Sequence, residues 1–271
     1  MSETQPPERD SVLIGRTGRV VTITLNRPDK LNAVNADMHD GIVDALRWAA
    51  RDEESDVIVL TGAGKAFCAG GDVKGMTESP TGTNVQKKPW EVHLAGRHLV
   101  DQILWTEKPL VAQVNGAAVG LGATIALLCD VVVASETARI GDRHVNVGLV
   151  AGDGGAVIWP LLVGLNKAKE LLMTGDLVTG VEAARMGLVN HAVAPDRLEE
   201  VTMSIATKLA SLPKYAVRAT KASVNRQLRA QVEAVLDVSL AWETISGLSE
   251  EHEVAARAFM QRRTGGTGRP E

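Results

Sequence analysis

A histidine and an aspartate in the run ARIGDRHVNVGLVAGDGG (138–155) carry the side chains best suited to proton transfer near neutral pH. The imidazole of His144 titrates at about pH 6.5 when unperturbed, so it can take up a proton and then return it. Asp153 follows between glycines, and a carboxylate beside an imidazole orients the ring and raises its basicity. Two simpler roles stay open at this point: a surface or core histidine, and an aspartate that only caps a helix.

Two glycine-bounded turns offer backbone amides to a ligand. The runs GAGKAFCAGGDVK (62–74) and NGAAVGLGATI (115–125) each follow a short apolar run and crowd small residues together. Small side chains let the backbone approach a ligand closely, and an N–H at a helix start points toward negative charge. Two such N–H groups that converge on one oxygen form an oxyanion hole. Either turn alone is also typical of a plain strand-to-helix connection, and neither matches the phosphate-binding glycine motifs.

The surrounding pattern predicts the elements that hold these turns. Strands are predicted at 18–26, 56–61, 109–114 and 129–134, where short apolar or alternating runs end in turn residues. Helical spacing predicts helices over 35–50 and near 91–106, and the Gly-, Pro-, Ser- and Thr-rich run 75–90 predicts a surface loop. After residue 196 the pattern is helical throughout. This order favours an α/β class, with a layered β/α core followed by a helical region.

Composition excludes several classes of protein. The net charge of −4 without a basic tract argues against binding of nucleic acid. The two cysteines, Cys68 and Cys129, lie in apolar runs without a C-x-x-C pair, which predicts reduced, buried thiols. No apolar run reaches membrane-spanning length, and the polar first ten residues lack the apolar core of a secretion signal. We therefore expect a cytoplasmic protein with no membrane partner, and we expect no metal because no histidine pair has convincing ligand spacing.

Taken together, the motifs resemble one superfamily. The runs TLNRPDKLNAV (24–34), GAGKAFCAGGDVK (62–74), VNGAAVGLGATIALLCD (114–130) and TGDLVTGVEAARMGLVN (174–190) are similar, in order and spacing, to the signature of the crotonase (enoyl-CoA hydratase/isomerase) superfamily. The resemblance covers roughly residues 12–263. It implies a spiral of ββα units over 12–195, a helical trimerisation region over 196–263, and flexible tails at 1–11 and 264–271.

The resemblance also implies a ligand, an assembly and site residues. The substrate would be an acyl-CoA thioester, with coenzyme A entering as part of the substrate and no separate cofactor. The assembly would be a homotrimer or hexamer. An apolar stretch in the helical third, which one domain need not bury alone, supports it; its residues are Leu236, Leu240, Ala241, Trp242 and Ile245.

The oxyanion donors would be the backbone N–H groups of Gly71 and Leu121. Further CoA or substrate contacts are implied for Lys30, Ala33, Ala69, Asp72 and Val73, and Arg262 and Arg263 could reach CoA phosphates. Lys30 is otherwise an ordinary solvated turn lysine, and the two arginines could simply favour the end of a helix.

The sequence departs from the family at two positions. A typical hydratase carries two glutamates that hold and activate water, and this chain has Thr124 and His144 at those places. The spacing from His144 to Asp153 resembles that of 6-oxocamphor hydrolase, a crotonase relative that cleaves a carbon–carbon bond without CoA. Three functions therefore stay open: a CoA-thioester enzyme with a His/Asp pair, a CoA-independent β-diketone hydrolase, and an inactive crotonase-fold scaffold.

Overall fold

A computed structural model of the chain describes residues 5–72 and 89–264, with the side chains of residues 89, 90, 92 and 262–264 outside the description. Most of the predicted loop 75–90, the site candidate Val73 and the side chains of Arg262 and Arg263 therefore lie outside the described residues. Within the described part, no helix is long and apolar enough to cross a lipid bilayer.

Ten short strands and eight helices form the described part. In chain order the strands are β1 (Val12–Thr17), β2 (Val20–Leu25), β3 (Val57–Gly62), β4 (Ala66–Cys68), β5 (Leu110–Val114), β6 (Ala117–Val119), β7 (Val131–Ser135), β8 (Arg139–Gly141), β9 (Val178–Thr179) and β10 (His191–Val193). The helices are α1 (Ala36–Arg51), α2 (Pro89–Trp105), α3 (Leu121–Leu127), α4 (Gly155–Thr174), α5 (Gly180–Arg185), α6 (Leu198–Ser211), α7 (Lys214–Gly247) and α8 (Glu250–Thr264).

The strands form two sheets that the chain visits in turn. The first sheet has the order β1-β2-β3-β5-β7-β10, and the second has the order β4-β6-β8-β9. Pairing is parallel except for β1 with β2 and β8 with β9. Three times in succession, one strand of the first sheet is followed by one of the second and then by a helix. This is the repeated ββα unit, and the α/β spiral fold with a helical C-terminal region is confirmed.

The central strands are buried on both faces, which explains their continuous apolar runs. Ile58 and Leu60 of β3 point into the main core, while Val57 and Val59 point into a second cluster with Leu198 of α6. Alternate side chains of one strand therefore serve two apolar layers, because successive residues face opposite sides of a sheet.

Helix α7 divides its apolar residues between the core and the surface. Leu236 and Leu240 are buried in the chain's own core. Trp242 and Ile245 are each 57% exposed. The reason is helical periodicity, since residues on the opposite side of α7 face away from α2 and α4.

At the N-terminal end, Arg9 forms ion pairs with Asp37 and Asp44 of α1. These contacts hold the end of the segment predicted as a tail against the first helix. Helix α1 itself begins after Asn35, whose side chain accepts a hydrogen bond from the N–H of Met38 at 3.0 Å.

Candidate active site

The first glycine turn is held by the segment that follows β2. The N–H of Ala69 donates to the carbonyl of Leu31 at 3.0 Å, the N–H of Val34 donates to Gly70 at 2.8 Å, and the N–H of Asp72 donates to Val34 at 3.0 Å. These bonds form an isolated parallel bridge between Val34 and Gly71 and fix the backbone of Gly71.

The CoA-binding candidates of the described part lie along this contact. Ala33 is buried, Ala69 and Asp72 are partly buried, and Lys30 is exposed at the end of a 3₁₀ turn. Arg27, which was not among the candidates, reaches across the contact and donates to Oδ2 of Asp72 at 3.2 Å. The structure thus brings four of the five candidates into one strip and leaves Val73 outside the described residues.

The second glycine turn packs directly on the first. Gly70 has a φ of +90°, and a Cβ built on it would lie 2.7 Å from the carbonyl oxygen of Val119 and 3.8 Å from the backbone nitrogen of Leu121. Leu121 is the first residue of α3, so its N–H has no acceptor within its own helix. In the described residues, the hydrogen bonds leave the N–H of Gly71 and that of Leu121 without a protein acceptor. The two predicted oxyanion donors are therefore close neighbours with free N–H groups.

His144 lies beside the second turn. It begins a 3₁₀ turn that is separated from β8 by two residues, and a Cβ built on Gly120 would lie 3.3 Å from Cε1 of its ring. Its Nδ1 is 2.7 Å from Oδ1 of Asp142, and its backbone N–H donates to the same oxygen at 3.1 Å. The ring is buried, and its Nε2 edge faces Asp153.

Asp153 is not a helix cap. The residue before α4 is Gly154, which makes no side-chain capping bond. One oxygen of Asp153 accepts a hydrogen bond from the hydroxyl of Thr124 at 2.9 Å, and the other lies 3.3 Å from Nε2 of His144. That second distance is longer than the usual 2.7–3.2 Å of an N–H···O bond. The role of a plain cap is thus wrong for Asp153, and the predicted closeness of the two side chains is observed.

Charge and burial act against each other in this cluster. Burial alone would lower the pKa of His144, but the carboxylates of Asp142 and Asp153 raise that pKa well above its usual range. Burial would likewise raise the pKa of Asp142, but the charge and hydrogen bonds of His144 lower it below its ordinary value. The two neighbouring acidic side chains therefore favour the protonated form of the His144 ring.

The exposed fractions separate the roles of the two carboxylates. The side chains of His144 and Asp153 each keep 9% of their surface exposed, whereas that of Asp142 keeps 1%. His144 and Asp153 thus keep a small exposed surface, while Asp142 is sealed behind the ring. Asp142 is placed to orient, and His144 and Asp153 are placed to react.

The C-terminal helix α7 supplies a further carboxyl group. On one face of α7, Ser239 Oγ donates to the carbonyl of Gly152 at 2.9 Å, and Ser246 Oγ accepts from the N–H of Val150 at 3.1 Å. Glu243 lies between these serines, and a Cβ built on Gly152 would be 2.7 Å from its Oε2. That oxygen is buried without a hydrogen-bond partner in the described part of the chain. Burial, and then the charge of Asp153, raise the pKa of Glu243 to about 8.

Glycines around Asp153 leave room for these contacts. A Cβ on Gly152 would lie 2.4 Å from the carbonyl oxygen of Ser239, one on Gly154 would lie 2.7 Å from the methyl group of Thr124, and one on Gly155 would lie 2.5 Å from Oδ2 of Asp142. Gly154 also has a φ of +123°, a conformation that other residues rarely adopt. The turn is closed to side chains on three sides.

Asp142, His144 and Asp153 bring ligand atoms within 4.8 Å of one another, a spacing at which one nitrogen and two carboxylate oxygens can bind a divalent cation. The hydrogen bond between Nδ1 of His144 and Asp142 explains the close spacing, because a proton shared by these two groups holds them together. We therefore interpret the cluster as a proton-transfer site, and the expectation of no metal stays a prediction. Cys68 lies nearby, and burial raises the pKa of its thiol to about 12, which makes it a poor nucleophile.

Sequence reasoning missed Asp142 and Glu243. Asp142 stands two residues before His144, where an aspartate can accept the backbone N–H of the second residue after it, so a local signal was present. Glu243 is far away in the chain, in an amphipathic helix, and no motif marks it.

The chain is similar to known proteins over nearly its whole length. The family model described as "Enoyl-CoA hydratase/isomerase" matches residues 15–265. The chain is 34% identical to the short-chain-enoyl-CoA hydratase of Clostridium acetobutylicum over 94% of this chain and 97% of that protein. It is 30% identical to the 1,2-epoxyphenylacetyl-CoA isomerase of Escherichia coli over 90% of this chain and 93% of that protein. A solved enoyl-CoA hydratase/isomerase from Mycobacterium paratuberculosis superposes with a TM-score of 0.85 at 36% identity, covering 92% of this chain and 98% of the other.

Proposed function

Because the chain belongs to the enoyl-CoA hydratase/isomerase family, we propose that it binds an acyl-CoA thioester, stabilises its enolate between the amides of Gly71 and Leu121, and moves protons with His144. The observation that carries the proposal is the position of the His144 ring. It lies beside Gly120, next to one amide of the candidate oxyanion hole, and between two carboxylates.

The two free amides supply the electrostatic part of the reaction. When a proton leaves the carbon next to a thioester, negative charge develops on the thioester oxygen. Two fixed N–H groups aimed at that oxygen stabilise the enolate without reorganisation, and each such donor is worth about 10²–10³-fold in kcat. Both groups lie at turns where no acceptor from residues 5–72 or 89–264 competes for them.

Four side chains form the proton-transfer part of the site. Asp142 holds Nδ1–H of His144, so that Nε2 is the working nitrogen. Asp153 shares that edge and can exchange a proton with Nε2 or with a bound water, and Thr124 holds Asp153 in place. His144 is the group that gives and takes the proton through Nε2, and Asp153 orients that edge of the ring or holds a water beside it.

Hydration by two glutamates is not the reaction that this site supports. Thr124 stands at the first glutamate position, and its hydroxyl, far too weakly acidic to exchange protons near neutrality, is bonded to Asp153. The reaction of this protein is therefore an enolate reaction run by one His/Asp pair. It can be an isomerisation, a hydration or a cleavage of a carbon–carbon bond.

A second candidate function is hydrolysis of a β-diketone without CoA. The contact between Nε2 of His144 and Asp153 favours it, because a water held there could attack a carbonyl group while the same amides stabilise the enolate that leaves. This alternative does not require that residues 30–34 and 69–72 bind CoA.

Two experiments test the proposal. Calorimetric titration with butyryl-CoA and with free coenzyme A should give saturable binding; no binding would favour the CoA-independent hydrolase. A turnover screen should then compare crotonyl-CoA with isomerisable and β-oxo thioesters and with cyclic β-diketones. We expect slow turnover of crotonyl-CoA, because each missing acid–base group costs about 10²–10⁴-fold. A crotonyl-CoA rate equal to that of an efficient hydratase would contradict the assigned chemistry, and no turnover of any of these would favour an inactive scaffold.

We also propose a homotrimer or a dimer of trimers. The exposed residues Val238, Trp242 and Ile245 on α7 support it, because they form one apolar helix face. Light scattering should show a trimer or hexamer for the wild type and a smaller species for Trp242→Glu; a monomeric wild type at micromolar concentration would refute it. A cytoplasmic location is likewise a prediction from the sequence.

A further inference from the structure

We infer that His252, in the first turn of α8, is a positioning residue for the reaction. Its ring holds the turn that carries His144, and so sets how His144 approaches Asp153, the other member of the proposed catalytic pair. The inference depends on the proposed function, since it concerns the same two side chains. It gives a helix outside the ββα core a part in the chemistry.

The way in which α8 begins explains why a histidine is buried there. Ser249 stands directly before the helix, and its hydroxyl oxygen accepts the backbone N–H of His252 at 3.1 Å, as a capping residue does for the third residue of a helix. His252 is 3% exposed, whereas its neighbours Glu251 and Glu253 are exposed. The cap therefore fixes one imidazole on the inner side of the first turn.

The imidazole of His252 is bonded to the turn of the catalytic histidine. Its Nδ1 lies 2.6 Å from the carbonyl oxygen of Val147, the last residue of the 3₁₀ turn that His144 begins. Because a carbonyl oxygen only accepts hydrogen bonds, Nδ1 carries the hydrogen and donates it. Within the turn, the carbonyl of His144 accepts the N–H of Leu149 at 2.9 Å. The turn is thus closed by its own backbone and held from outside by His252.

Close packing at Gly148 fixes the distance between α8 and this turn. Gly148 has a φ of +70°, and a Cβ built on it would lie 2.7 Å from Cα of His252 and 2.9 Å from its backbone nitrogen. The two backbones are therefore in direct contact, which only glycine permits at this position. The bond from the imidazole and the contact at the glycine together hold the turn in one place.

The loop that joins the catalytic pair is held near both of its ends by C-terminal helices. His252 of α8 bonds to Val147 near one end, and Ser239 of α7 bonds to Gly152 near the other at 2.9 Å. The contact of 3.3 Å between the two catalytic side chains therefore depends on where these helices hold the loop. A misplacement of about 1 Å in such a position can lower a rate by about 10²-fold.

Three variants of His252 test the inference through deuterium exchange at the second carbon of butyryl-CoA, which requires only that the enolate forms. His252→Asn places an amide N–H where Nδ1 lies, His252→Gln places it where Nε2 lies, and His252→Leu removes both. We expect kcat to fall by about 10²-fold in the Leu and Gln variants, with little change in KM, because the strip proposed for CoA is not altered. The Asn variant should retain most of the activity. Glu251→Gln, at the exposed neighbouring residue, is the control.

A double variant separates positioning from a general loosening of the fold. If His252 acts through His144, little is left for it to affect once His144→Gln has removed the titrating group. His252→Leu should then lower kcat by less than about twofold in the His144→Gln background, because residues that act as a unit are not additive. A general loosening would lower kcat by the same factor in both backgrounds.

The outcomes are distinct. Wild-type kcat in His252→Leu, a larger loss in His252→Asn than in His252→Gln, or an equal loss in both His144 backgrounds overturns the inference and leaves the proposed function standing. If the wild type exchanges no deuterium into butyryl-CoA, the proposed function fails and the inference fails with it. Urea unfolding shows which variants fold. If His252→Leu does not, the comparison of Asn with Gln decides, because both keep a polar group at the buried position.

Discussion

One oxygen of Asp142 binds His144 twice, accepting the ring Nδ1–H at 2.7 Å and the backbone N–H at 3.1 Å. The backbone bond is an Asx turn, in which an aspartate accepts the N–H of the second residue after it. The same short turn that ends β8 therefore also fixes the orientation of the imidazole. Its Nε2 edge is presented to Asp153 in one position.

Replacing Asp142 with asparagine should separate this orienting role from the fold. The amide oxygen can still accept the backbone N–H, but the negative charge behind the ring is lost. We expect kcat to fall by about 10²-fold or more, as in other histidines that lose their orienting carboxylate. The pKa of His144 should fall as well, which NMR titration of the ring would measure. Asp176→Asn, at an exposed aspartate, is the control, and a variant with wild-type kcat would contradict the role.

Removing the titrating group itself should be more costly. His144→Gln keeps polarity but cannot exchange a proton, so kcat on the true substrate should fall by about 10²–10⁴-fold with little change in thioester binding. Asp153→Asn should cost less, because Thr124 can still hold the side chain. His191→Gln, at an exposed histidine, provides the comparison. A larger loss of thioester affinity than of kcat would indicate that His144 binds rather than reacts.

The oxyanion donors can be tested at the backbone. Gly71→Pro removes an N–H that has no protein acceptor in the described residues, so activity should fall by about 10²–10³-fold, far more than stability. Gly71→Ala keeps the N–H and serves as the matched control. Leu121→Ala should likewise reduce activity only mildly, because it also keeps the backbone N–H. Enolate formation can be followed by deuterium exchange at the second carbon of butyryl-CoA, and a fully active Gly71→Pro enzyme would place the hole elsewhere.

The pH dependence of stability follows from two raised pKa values. The pKa of His144 is raised above its unfolded value, so its contribution is full below about pH 6.5 and is lost as pH rises through the folded pKa. The pKa of Glu243 rises from 4.5 in the unfolded chain to about 8 in the folded protein, so its contribution to stability is lost as the pH rises between those values. Urea unfolding should therefore show lower stability at pH 8.5 than at pH 5.5. Glu243→Gln should flatten this dependence, and an unchanged slope would contradict the raised pKa.

The sequence predicted those parts of the fold and site that have a local or periodic signal. The central strands were predicted within about two residues, because they are buried on both faces and read as apolar runs. The second strand of each unit was missed, since β4, β6 and β8 have only three residues each and are too short for a period. Strand β1 was missed too, because its outer residues are exposed and Gly15 interrupts its pattern.

Within the candidate site, distance along the chain decided what could be predicted. His144 and Asp153 lie in one turn region, so the sequence predicted them as a pair from their spacing. Glu243 reaches the same place from α7 through tertiary packing alone, so no local pattern marks it. The polar face of that helix, with Ser239 and Ser246 among apolar neighbours, is recognised only when the turn it contacts is known.

The glycine-lined turn around Asp153 also limits how this protein can evolve. At Gly152, Gly154 and Gly155, the first carbon of any side chain would collide with Ser239, Thr124 or Asp142. Each collision involves either the site or the helix that supports it, so no single substitution in the turn is independent of the chemistry. A side chain at any of these glycines would therefore force a shift in the turn that carries Asp153. The run Gly-Asp-Gly-Gly, together with a histidine nine residues before its aspartate, is thus a sequence pattern with which relatives that share this arrangement can be sought.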